Sequence, residues 1–161
     1  MTQQSIEGLT VPGQHGPRPT VTDAMKLKAA LPIAMEMLFD DGAKDIADNG
    51  SLHSDGYTLA KALESDGWDI SREDIDTLDE FSHNLSDELE QAEKQWAEIN
   101  DIQPPLPIGT RITVARSGEG EITGVYQHGA AKYEVRLDSN TAAQDASNTR
   151  RIIKFEDAAA A

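Results

Sequence analysis

Residues 71–100 read SREDIDTLDEFSHNLSDELEQAEKQWAEIN, and residues 101–114, which follow, read DIQPPLPIGTRITV. The first stretch opens with Ser71 and Asp74 in the spacing of a capping box, a hydroxyl and a carboxylate serving the free N–H groups of a first helical turn. Ile75, Leu78, Phe81, Leu85, Leu89, Ala92, Trp96 and Ile99 then recur in steps of three and four, which keeps one apolar stripe on one side of a helix. Glu73, Asp76, Asp79, Glu80, Asp87, Glu90 and Glu98 crowd the opposite side. The pattern predicts one helix over 71–100, ~43 Å long at 1.5 Å per residue. Pro104, Pro105 and Pro107 remove backbone donors and end it, and after Gly109 the period changes to the alternation of a strand. Helices followed by strands give an α+β chain, with its junction at 104–108.

Toward the N-terminus, residues 21–103 read as an acidic helical domain of three to four helices. Thr22 can cap a helix whose apolar positions Met25, Leu27, Ala29 and Ala30 lead to Pro32, where the helix is expected to kink or restart. Ile33, Met35, Met37, Leu38 and Phe39 form an apolar turn and a half, and Asn49-Gly50 stops the segment after them. A further helix over 55–66 buries Leu59, Ala62 and Leu63 and ends at Gly67, with Trp68 and Ile70 folding back onto that face. Residues 1–20, rich in Pro and Gly at positions 12–19, read as a flexible arm.

Toward the C-terminus, residues 111–116, 121–128, 132–138 and 150–156 read as strands separated by Gly118, Gly120 and Gly129. Ile112 and Val114, then Tyr133, Val135 and Leu137, alternate with polar neighbours, so one face is buried. Four or five short strands in about fifty residues curl most economically into a small barrel. The runs Gly109-Thr-Arg-Ile-Thr-Val, Gly120-Glu-Ile-Thr-Gly124 and Tyr133-Glu-Val-Arg-Leu-Asp138 resemble an SH3-like small barrel of the KOW or Tudor kind, spanning 109–157. That resemblance implies binding of nucleic acid or peptides through loops and one open face, with Arg116, Tyr126, His128, Lys132 and Arg136 as the contact residues. Residues 139–149 read as a long mobile loop, and 158–161 as a frayed or appended tail.

The charge divides along the same line. The chain has 161 residues and a net charge of −15, with 21 acids against 6 bases in residues 21–103 and 7 of each in 104–161. The acidic half should repel nucleic acid and anionic membrane and attract basic proteins, which leaves the barrel as the half able to touch nucleic acid directly. With no cysteine there is no disulfide framework, thiolate nucleophile or cysteine zinc site. No apolar run reaches signal-peptide or membrane-span length, so the chain is expected in the cytoplasm.

Nothing in the sequence assembles a catalytic site. Asp40, Asp41, Asp45 and Asp48 lack the spacing of a calcium loop, His15, His53, His83 and His128 form no metal-binding pair, and Gly118 and Gly120 precede no helix that would bind phosphate. A non-enzymatic binding protein without a cofactor is therefore expected. Its partner would be a basic, nucleic-acid-handling protein met by Asp76, Asp79, Glu80, Asp87 and Glu90. In composition the chain is similar to the acidic anti-restriction and anti-CRISPR inhibitors of phages and plasmids, which implies nucleic-acid mimicry. The alternatives are an accessory protein that binds nucleic acid through the barrel, and a phage or plasmid assembly protein. The long stripe also allows a homodimer.

Overall fold

A computed structural model describes residues 16–39, 41–138 and 150–161. The arm over 1–15 and the loop over 139–149 lie outside the described residues, as does Asp40. The chain divides into two units, Pro17–Ala92 and Glu93–Ala161, with Gly16 belonging to the second.

The first unit is helical. Helix α1 (Asp23–Glu36) starts at Thr22, whose hydroxyl accepts the Met25 N–H at 3.2 Å. It runs through Pro32 without restarting. Both Pro32 and Lys28, whose carbonyl loses its donor to the proline ring, are exposed, so solvent can serve that carbonyl. Helix α2 (Gly42–Asn49) ends at Gly50, where a Cβ would sit 2.2 Å from the Phe81 ring. Helix α3 (Gly56–Ser65) is capped by Asp55, which accepts the Thr58 N–H at 2.7 Å. That bond to the carboxylate holds the Asp55 pKa below its ordinary value. Alanines 29, 30 and 34 on α1 and 43 and 47 on α2 keep the buried side chains short where the two helices meet. Ile33, Ile46, Leu59, Leu63, Leu78, Phe81 and Leu85 fill the centre. Ala62, expected in this core, is only partly buried, and Ala60 takes its place.

The expected helix over 71–100 divides at Asp79 into α4 (Arg72–Leu78) and α5 (Glu80–Ile99). The capping box of Ser71 and Asp74 is present as the sequence indicates. The cause of the division lies 23 residues upstream. Gly56 approaches so closely that a Cβ there would stand 2.1 Å from the Ile75 carbonyl and 2.9 Å from the Asp79 nitrogen, and its N–H donates to Asp79 Oδ1 at 2.7 Å. Asp79 itself keeps φ −63° and ψ −21°, near helical values, so the apolar stripe crosses the division in phase.

The second unit is a five-stranded antiparallel sheet: β1 (Arg111–Val114), β2 (Gly118–Val125), β3 (Lys132–Leu137), β4 (Arg150–Lys154) and β5 (Ala158–Ala160) in the order β4-β3-β2-β1-β5. A 3₁₀ turn, Phe155–Asp157, carries the chain from β4 to β5. The strand order is that of a meander whose last strand returns to pair with the first. Residues 158–161 do not fray. Ala158, Ala159 and Ala160 pair with Val114, Thr113 and Ile112, because small side chains let this last segment lie along the open edge of β1. A register shift between Ile122 and Gly124 bends β2. Ile112, Val114, Ile122, Tyr133, Val135, Leu137 and Phe155 form the core, with Ile102 and Leu106 packed against it.

Candidate protein-binding surface

Asp76 on α4 and Glu80 on α5 are four residues apart and both exposed. With Glu36 of α1 they line a hollow of about 440 Å³ whose other walls are Pro32, Ile33, Thr77 and Asn84. Three carboxylates and no base border it. Asn84 is held in place by donating its side-chain N–H to the Ala29 carbonyl at 3.3 Å. Beside the hollow, Lys28 bridges to Glu88 at 2.8 Å and ties α1 to α5.

The other acids expected at a partner surface differ in what they do. Asp79 is exposed, yet its carboxylate is engaged with the Gly56 N–H. Asp87 is exposed and lies 3.7 Å from His83 one turn away. Glu90 is partly buried. Asp76, Glu80 and Asp87 are thus the acids whose placement leaves them facing solvent, and Glu36 joins them from a helix that the charge pattern of residues 71–100 did not include.

In the sheet unit, Arg116 is exposed at the tip of the β1–β2 turn with φ +66°. Tyr126 and His128 meet edge to face, their ring centroids 5.6 Å apart, in the turn between β2 and β3. Lys132 lies 3.7 Å from Glu93, the buried acid of this unit, and Arg136 lies 3.5 Å from Glu121. Arg150 approaches Glu134 at 3.9 Å, and Arg111 is bound to Asp138 through both guanidinium nitrogens. That pairing holds the Asp138 carboxyl below its ordinary range and pushes the Arg111 pKa up. Four cations of the sheet unit thus lie against its own carboxylates, so a phosphate backbone would compete there with acids already in place.

The sequence reading missed one feature of the helical unit. It noted the apolar residues of this stretch without dividing them between faces, and Leu27, Leu31, Met35 and Leu38 are all exposed. Their spacing of four, four and three is the signal that separates them from the buried set Ala29, Ala30, Ile33 and Ala34.

Among the described residues no helix is long and apolar enough to cross a membrane, and no three His, Asp or Glu side chains converge as metal ligands would. Comparison with known protein families, curated proteins and solved structures finds no match to this chain.

Proposed function

We propose that the protein is a non-enzymatic binding protein of the cytoplasm whose acidic helical surface engages a basic, nucleic-acid-handling protein. The observation that carries this reading is the hollow bordered by Glu36, Asp76 and Glu80, three carboxylates on three helices with no base among its lining residues. Such a surface raises the local concentration of cationic groups and steers their approach. The exposed Asp87 extends the same charge along α5.

Magnitude separates a basic-protein surface from a close copy of duplex DNA. Glu73, Asp76, Asp79, Glu80, Asp87 and Glu98 are the exposed acids of residues 72–99. The helical path is ~40 Å, and a duplex of that length carries ~24 charges, so the helices reach roughly a quarter of that density. Inhibition by mimicry would therefore depend on a partner groove that reads scattered charge, not one that counts phosphates. The paired cations of the sheet favour the helical surface over the barrel as the main contact.

Replacing Asp76, Glu80 and Asp87 together with Lys tests the reading, since all three side chains are exposed. The parent should pass through heparin unretained and capture basic nucleic-acid enzymes from nuclease-treated lysate, with capture lost as salt approaches ~1 M, where screening shortens to about 3 Å. The triple variant should fold with unchanged circular dichroism and lose that capture. A folded variant that retains the same partners at physiological salt would defeat the proposal.

A further inference from the structure

Leu27, Leu31, Met35 and Leu38 are 42%, 47%, 74% and 85% exposed. Helical spacing puts Leu27, Leu31 and Met35 within roughly 80° of one another around α1, on a stripe ~12 Å long, and Leu38 follows just past its end. A contiguous apolar stripe in water marks a contact surface, whereas single exposed leucines do not. Leu38 adds a second sign. It holds φ +58° just past the end of α1, a conformation suited to glycine, and its exposure means that packing does not offset the strain.

The borders of the stripe are acidic. On the α2 side stands Asp23, with Lys44 bound to Asp48 at 2.5 Å and within electrostatic reach of Asp45 and Asp23. On the α5 side Lys28 is bound to Glu88, and beyond it lies the hollow of Glu36, Asp76 and Glu80. Lys44 and Lys28 are thus each matched by an acid, and the acids named on each side outnumber these bases.

We infer that this stripe seats an amphipathic basic helix of the partner protein, its apolar face on Leu27, Leu31, Met35 and Leu38 and its Lys or Arg side chains over the carboxylates of the two borders. The inference rests on the reading that the partner is basic and adds where and in what form it docks. Charge complementarity selects the occupant. A second copy would bring acidic borders against acidic borders, and a nucleic acid has no apolar face to offer. Apolar burial also supplies short-range affinity that exposed, screened charges lack.

The test uses the full chain and two synthetic peptides of roughly five helical turns. One carries leucines on one face and lysines on the other, and its scrambled twin has the same composition with no common face. The parent should bind the amphipathic peptide at least about tenfold tighter than its twin, and L31Q/M35Q, altered only at exposed positions, should lose that preference while circular dichroism stays unchanged. Equal binding of the two peptides, or a preference that survives in L31Q/M35Q, overturns the inference while leaving a charge-driven partner surface in place. If neither peptide binds even at low salt, the acidic-surface reading falls with it. Sedimentation supplies the remaining outcome: a dimer dispersed by L31Q/M35Q would assign the stripe to a second copy and overturn the basic-helix inference.

Discussion

Three helices end in the same way, and the residues at those ends show how local chemistry becomes backbone geometry. Phe39, Trp68 and Ile102 each send an N–H back five residues, to the carbonyls of Ala34, Leu63 and Ala97. The preceding residues, Leu38, Gly67 and Asp101, each take a positive φ and bond four-residue turns to Met35, Glu64 and Glu98. This is the Schellman arrangement, with an apolar residue after the turn packing back on a core. Gly67 suits its position and Leu38 does not. Leu38→Gly should therefore raise stability by about 1 kcal/mol, a melting-temperature gain of roughly 4–8 °C for a unit of this size. Scanning calorimetry would check it, and an unchanged or lowered melting temperature would mean that the leucine is held by contacts its exposure conceals. If the stripe seats a partner helix, the same change weakens the amphipathic peptide while stabilising the fold, a pairing that a purely structural leucine would not show.

At the scale of elements, the turn that follows α5 is fastened to the sheet by one side chain. Tyr133, buried in β3, donates its hydroxyl to the Leu106 carbonyl at 2.9 Å and accepts the Leu106 N–H at 2.8 Å, while its ring packs on Phe155 with centroids 4.4 Å apart. Tyr133→Phe removes both bonds and leaves two Leu106 backbone groups unmatched, at a cost of about 1–2 kcal/mol. The pH dependence follows from the same contact. Burial pushes the Tyr133 pKa up, partly countered by the Leu106 N–H. The unfolded chain ionises this tyrosine near its ordinary pKa of ~10 while the folded chain resists, so its contribution is complete below that pH and declines as pH rises through it. The stability difference between parent and Tyr133→Phe, measured by denaturant unfolding, should narrow above about pH 10. A gap that stays constant or widens would count against this account.

For the whole molecule, the division between the two units falls within α5, so Ile102 and Leu106 belong to the sheet unit although they precede its first strand. Residues 93–161 alone should melt cooperatively. A shorter piece, 107–161, loses both aliphatic side chains and the backbone partner of Tyr133, and should be less stable by about 3 kcal/mol or fail to fold. Equal melting of the two pieces would show that the segment before β1 contributes nothing.

Much of the architecture was legible because its causes are local. The caps at Thr22 and Ser71 act across three residues, the stop at Gly67 acts within one turn, and the alternation of Ile112 and Val114 or Tyr133 and Val135 follows from the period of a strand. The partition of charge needed only counting. What tertiary structure decided came from backbone meeting backbone across long intervals. Gly56 divides the long helix at Asp79 and converts one of its surface acids into a cap, which no periodicity can reveal because Asp79 stays near helical angles. Ala158–Ala160 carry no strand signal of their own and become β5 only because β1 offers them an open edge. The apolar residues of α1 could be assigned to a buried and an exposed side only after α2 and α5 had covered one of them, since residues 25–38 are apolar on more than one face.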